Sequence, residues 1–183
     1  MIIEETHLKD CYVITPRLFE DKRGYFFESY SKDKFFKETG LDVNFVQDNE
    51  SKSRQGVLRG LHFQVPPFAQ AKLIRVISGE ILDVAVDLRK DSSTYGQYER
   101  VLLSEDNKKQ FFMPRGFAHG FFVISETAII TYKIDNAYSP KHDTGIIWND
   151  KDLNIDWKLE NHDIILSEKD QNLQSFKDFE SPF

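Results

Sequence analysis

Leu73-Ile74-Arg75-Val76-Ile77, a turn at Ser78-Gly79, then Glu80-Ile81-Leu82-Asp83-Val84-Ala85-Val86-Asp87-Leu88: this stretch decides the fold. Its branched apolar residues read as two β-strands joined by a tight turn that uses Gly79. Working outward, further strands are predicted at 98–104, 109–113, 118–124 and 127–135 on one side, and at 11–15, 25–30 and 57–64 on the other. Many short strands at close, regular spacing make a mainly β protein, an antiparallel barrel or jelly roll with a few short helices. One helix is predicted over Ser31–Thr39, with Ser31 as N-cap and Gly40 beyond its C-terminus. The polar tail, 161–180, reads as turns with one helical turn.

The chain of 183 residues suits one domain and can bury a core without disulfides or a metal. Hydrophobic residues make 40% and charged residues 30%, and the mean hydropathy is −0.49, which excludes disordered and membrane-spanning classes. The N-terminus has neither a basic run nor a long apolar one, so no signal peptide is expected. Twenty-four basic against 30 acidic residues leave a net charge of −6, which argues against nucleic acid as a partner. Cys11, the single cysteine, fits a reducing, cytoplasmic setting and is expected to be a buried strand residue.

Motifs that are missing narrow the chemistry. No G-x-G, G-x-S-x-G or C-x-x-C occurs, and the five histidines (7, 62, 119, 142, 162) form neither H-x-H nor H-E-x-x-H. No nucleotide cofactor is therefore expected, and the local spacing that would advertise a metal site is missing, although distant residues could still assemble one. Strand parity puts Tyr132 on the apolar, inward face of Ala128, Ile130 and Ile134, with Tyr138 on the same face if the strand continues. Parity also puts His62 on the face of Leu58 and Gln64, with Arg59 opposite. A bulge at Gly60 would return Arg59 and His62 to one pocket. Each of these residues also has a structural reading. A lone strand histidine is more often a hydrogen-bonded core residue than a base, an inward tyrosine is more often filler, and Arg59, Lys72 and Arg75 could be edge-strand charges. Asp170 alone would be a turn residue.

Six segments in order carry a resemblance: Arg23-Gly24-Tyr25-Phe26-Phe27-Glu28, Phe45-Val46-Gln47-Asp48-Asn49, Val57-Leu58-Arg59-Gly60-Leu61-His62-Phe63-Gln64, Gln70-Ala71-Lys72-Leu73, Gly116-Phe117-Ala118-His119-Gly120-Phe121 and Ser167-Glu168-Lys169-Asp170. Together they resemble the dTDP-4-dehydrorhamnose 3,5-epimerases. The resemblance implies a cupin-type jelly roll without metal, a homodimer exchanging N-terminal strands from about 1–30, and a dTDP-4-dehydro-6-deoxy-glucose substrate inverted at C3 and C5. It implies His62 as base with Asp170 as its partner, Tyr132 as the acid on the opposite face, and Lys72 beside the C4 carbonyl oxygen. Arg23, Phe26, Glu28, Gln47, Asp48, Asn49, Arg59, His119 and Lys169 match nucleotide-sugar contacts, and Tyr138 the aromatic that stacks on thymine. A contact position usually held by Glu falls on Asp143. Asp83 is an alternative partner for His62. Rival readings are a C3-only or C5-only epimerase, a metal-dependent cupin, or a non-catalytic nucleotide-sugar binder.

Overall fold

The structure, a computed structural model, describes residues 1–158 and 163–183. His162 and the first two residues of the predicted tail, 161–162, lie outside the described residues. The strands are β1 (Ile2–Glu5), β2 (Tyr12–Thr15), β3 (Phe19–Asp21), β4 (Gly24–Phe26), β5 (Gln47–Arg54), β6 (Leu58–Gln64), β7 (Lys72–Ser78), β8 (Glu80–Asp87), β9 (Tyr98–Ser104), β10 (Gln110–Met113), β11 (Phe117–Val123), β12 (Thr127–Ile134) and β13 (Asp143–Gly145). The helices are α1 (Lys32–Thr39) and α2 (Glu168–Gln171).

Two antiparallel sheets face each other in a jelly roll. One has the order β1-β2-β10-β7-β12-β5 and the other β13-β6-β11-β8-β9. The opening stretch forms β7 and β8, one in each sheet, so the turn at Ser78-Gly79 carries the chain from one layer to the other. Alternation then sorts the side chains. Ile74, Val76, Ile81, Ala85, Leu103, Phe111, Phe121 and Ile130 fill the space between the sheets. The outward set of the five-stranded sheet, Leu82, Val84, Val86 and Phe122, is covered by Ile146, Leu153, Trp157 and Phe179 from the C-terminal segment. The tail is thus less polar in its packing than its composition suggests, and its single helical turn is α2. On the other sheet, Phe35 of α1 packs with Tyr12, Leu73 and Phe112. Ser31 is the N-cap residue of α1 but makes no side-chain bond, and Gly40 adopts φ 74° as a C-terminal glycine does.

Cys11 is wholly buried just ahead of β2, with its thiol on the Phe112 carbonyl at 3.2 Å, and burial pushes its pKa up. Among the described residues no helix is long and apolar enough to cross a membrane. β1 and β2 complete this chain's own sheet through β10. Among the described residues the hairpin of β3 and β4 pairs only with itself, and it leaves Phe19, Tyr25 and Phe26 exposed.

Candidate active site

The site begins with an irregularity in β6. Its register against β11 shifts between His119, which faces His62, and Phe121, which faces Arg59. The extra residue resets the alternation, so Leu58, Leu61 and Phe63 all join the outer cluster while Arg59 and His62 both turn inward. This corrects the simple parity reading, in which Leu58 shared a face with His62. The bulge expected at Gly60 is present. Gly60 has φ 127°, and a Cβ there would lie 2.5 Å from the Gly120 Cα and 2.8 Å from the His119 carbonyl oxygen. Only glycine lets the two backbones approach so closely. Gly60→Ala is expected to destabilise the fold by about 3 kcal/mol or more, read as a lower midpoint in urea.

His62 Nε2 lies 2.5 Å from Asp170 Oδ1. Asp170 sits in the first turn of α2, where Ser167 is the N-cap. The Ser167 hydroxyl accepts from the Asp170 N–H at 3.1 Å and donates to Asp170 Oδ2 at 2.7 Å. Burial raises the Asp170 pKa, but the bonds from His62, Ser167 and the Gly60 backbone outweigh it and hold the group below its usual value. The partner of His62 is therefore a fixed carboxylate. Asp83, the alternative, is engaged elsewhere: its Oδ1 lies 2.7 Å from His119 Nε2.

Lys72, the first residue of β7, points between the sheets with its Nζ 3.4 Å from the His62 carbonyl oxygen. Burial lowers its pKa from 10.5 to about 8, against the upward pull of Asp143 and Asp83. On the opposite wall from His62, Tyr132 extends from β12 of the six-stranded sheet. Burial raises its pKa despite nearby Arg59, so the phenol keeps its proton at neutral pH. Arg59 also donates to Ser53 Oγ at 3.2 Å. Tyr132 pairs in register with Asn49 of β5, and Ile134 with Gln47, so both amides share the inward face.

A cavity of about 370 Å³ is bounded by His62, Lys72, Tyr132, Gln47, Asn49 and, at its mouth, Tyr138 and Asp143. Tyr138 reaches it without the continued strand that parity assumed, because β12 ends at Ile134. Its hydroxyl donates to Asp143 Oδ2 at 3.1 Å, and Lys169 Nζ lies 2.5 Å from the same oxygen.

Seven expected contacts do not line this cavity. Three of them stand next to residues that do: His119 faces His62 across the strands, Lys169 bonds Asp143, and Arg59 lies near Tyr132. The other four lie elsewhere. Asp48 falls on the outer face of β5, where Lys133 bonds it at 2.8 Å, because its neighbours Gln47 and Asn49 take the inward positions. Arg23, Phe26 and Glu28 belong to the projecting hairpin and the segment after it. Arg23 pairs with Asp21 in a side chain 84% exposed, Phe26 is 68% exposed, and Glu28 pairs with Lys34. Conversely, the reading of single residues missed Gln64 and Gln70, which line the cavity. Gln64 is buried and ties Phe68 and Ala137 carbonyls to the site; its inward parity with His62 was the available signal. Among the described residues no group of three or more His, Cys, Asp or Glu gathers to hold a metal ion.

An imidazole braced by a carboxylate on one wall, a protonated phenol on the other and a buried ammonium bordering the same cavity are groups that can move protons at a carbon made acidic by a carbonyl. With the jelly roll around them, they fit the class of carbohydrate epimerases, which the comparisons with known proteins establish. The sequence model of the dTDP-4-dehydrorhamnose 3,5-epimerase family matches residues 5–178. The epimerase of that name from Methanothermobacter thermautotrophicus is 51% identical over 175 residues, covering 95% of this chain and 94% of its own. The crystal structure of the Elizabethkingia anophelis enzyme superposes with a TM-score of 0.94 at 56% identity, over 97% of both chains. The Legionella pneumophila enzyme, solved with dTDP-4-keto-L-rhamnose, gives 0.94 at 41% identity, over 98% of this chain and 94% of its own. The chain belongs to the dTDP-4-dehydrorhamnose 3,5-epimerase family and is an isomerase.

Proposed function

We propose that this chain converts dTDP-4-dehydro-6-deoxy-glucose to dTDP-4-dehydro-rhamnose by inverting C3 and C5. The observation that carries the reading is that His62 and Tyr132 belong to opposite sheets and border one cavity. A pyranose ring lying between the sheets turns one face to each. Both C3 and C5 flank the C4 ketone, so each C–H is acidified by the same carbonyl. His62 takes the proton as the C–H bond breaks, and the electron pair moves into an enolate with its charge on O4. Lys72 stabilises that charge in a water-poor setting, where such an interaction is strongest. Tyr132 then gives its proton to the carbon from the other face, and both groups reset through solvent. Asp170 fixes the imidazole's tautomer and stabilises its charged form. Gln47, Asn49, Arg59, His119, Tyr138, Asp143 and Lys169 bind and orient the nucleotide sugar, with the Arg59 guanidinium suited to phosphate oxygens.

The nucleotide end calls for a second copy. The exposed hairpin aromatics of one subunit, with Arg23 and Glu28, supply the contacts that the partner's cavity lacks, so the homodimer exchanges the β3–β4 hairpin. Mixing inactive Arg23→Ala with inactive His62→Ala subunits is then expected to restore up to about a quarter of the wild-type rate under random pairing; no recovery in the mixed dimer would sink the exchange. We place the protein in the cytoplasm, in keeping with its lone, buried, unpaired thiol.

The function itself is tested by NMR of the 4-keto sugar nucleotide with enzyme in D₂O. Deuterium at both C3 and C5 in a product of rhamno configuration is expected. Label at one carbon alone would assign a mono-epimerase, and label at neither would leave a binding protein.

A further inference from the structure

We propose that Asp83 is a positioning residue for this reaction: from behind the cavity it orients His119 with one carboxylate oxygen, and its charge keeps Lys72 a cation. This rests on the reading of Lys72 given above, and it adds a residue that does not border the cavity.

Asp83 stands at the middle of β8, in the inward row with Ile81 and Ala85, and is 0% exposed. Its Oδ1 is taken by His119 of β11. Its Oδ2 is, among the described residues, the one buried side-chain oxygen or nitrogen that has no hydrogen-bond partner. A folded protein rarely leaves a buried carboxylate oxygen in that state, and such exceptions cluster where charge is being used. The group that compensates it is on the facing sheet. Lys72 is buried too, makes among the described residues one long bond, to the His62 carbonyl, and feels the attraction of Asp83. The attraction is mutual, since Lys72 and His119 both work against the rise that burial imposes on Asp83. The other charged or titratable groups facing Lys72 are Asp143 of β13, Lys169 of α2, His62 of β6, His119 of β11, Tyr132 of β12 and Tyr138 at the cavity mouth. Asp143 is already shared between Lys169 and Tyr138 at the mouth. Among the described residues Asp83 pairs with no lysine or arginine; its bonded partner is the His119 imidazole, and its second oxygen is unpaired. An isolated ammonium in so dry a place would shed its proton and with it the ability to hold an enolate oxygen.

Asp83→Asn keeps the shape and the acceptor for His119 while removing the charge. The Lys72 ammonium, followed by NMR titration of its side-chain carbon and nitrogen and assigned with Lys72→Arg, is expected to titrate about one pH unit lower in Asp83→Asn than in the wild type. The alkaline limb of kcat/KM is expected to move down with it, and Asp83→Asn in a Lys72→Arg background, where the cation cannot be lost, is expected to leave that limb in place. An unchanged Lys72 titration would overturn the proposal. A lowered titration in a protein without epimerase activity would instead strike the functional reading and leave the coupling intact. Should Asp83→Asn fold poorly, the Lys72→Met/Asp83→Asn pair decides. Coupling predicts that Asp83→Asn costs less thermal stability in the Lys72→Met background, and an equal loss in both backgrounds would make Asp83 merely structural.

Discussion

His62→Ala is expected to stop deuterium exchange at both C3 and C5 and to lower kcat by about 10³-fold, whereas Tyr132→Phe is expected to stop inversion but leave exchange running. The difference follows from the walls the two residues occupy. His62, on the five-stranded sheet, is the only one of the pair with a carboxylate at 2.5 Å to stabilise a proton taken from carbon. With the phenol gone, His62 still removes the proton, trades it for a solvent deuteron and returns it to the face it came from. The 4-keto sugar would be recovered labelled with its configuration unchanged. Asp170→Asn should sit between these, because Asn preserves a bond to the imidazole but not the negative charge that stabilises imidazolium. The measurement is NMR in D₂O with label and configuration scored separately at each carbon. Persistent exchange in His62→Ala, or wild-type inversion in Tyr132→Phe, would reverse the assignment of the two faces.

The same residues show how far the sequence could be read. The strands that fill the space between the sheets were legible because their alternation is apolar against polar: 98–104 is matched residue for residue by β9, and 127–135 nearly so by β12. β5 was not legible. Its sequence, Gln47-Asp48-Asn49-Glu50-Ser51-Lys52-Ser53-Arg54, has no apolar face, because at its N-terminal end the inward positions line a polar cavity instead of a core. The strand that brings two cavity amides was thus invisible to periodicity, and only its residues Gln47 to Asn49 surfaced, as contacts implied by the family resemblance. The Gly60 bulge is a second case. Regular parity separates Arg59 from His62, and one positive-φ glycine at the crossing with Gly120 reunites them. Asp48 failed for the opposite reason. Motif continuity carried it along with its neighbours, while the pleat of a strand turns every second residue away. The pairing of His62 with Asp170, 108 positions apart, is set by the C-terminal segment folding back over the five-stranded sheet, which no local pattern encodes.

Lys72→Met is expected to make the protein more stable while lowering kcat by about 10²–10³-fold. Burial lowers the Lys72 pKa in the folded chain from 10.5 to about 8. That difference corresponds to about 3 kcal/mol spent on keeping the ammonium charged in the fold at neutral pH, net of the attraction from Asp143 and Asp83. The sign is set by proton counting. Between pH 8 and 10.5 the unfolded chain binds the proton that the folded chain has released, so this residue makes stability rise with pH across that window, and its full cost is present below it. Methionine fills similar volume without a charge to desolvate, and the change should lift the melting temperature by about 6–10 °C at pH 7. Melting curves from pH 7 to 10.5 provide the check: the wild type should close the gap on Lys72→Met as the pH rises, and a gap that stays constant would mean the difference comes from packing and not from charge. The activity of the wild type should fall above about pH 8 as the cation is lost, and Lys72→Arg, which stays charged, should keep its activity to higher pH even if its absolute rate is lower. A site that is destabilising in the very protonation state the chemistry needs is what a preorganised cation in a water-poor cavity requires. The rest of the jelly roll carries that cost: the sheets pack their apolar rows on both sides of Lys72, and only the enolate oxygen brings the charge its full counterpart.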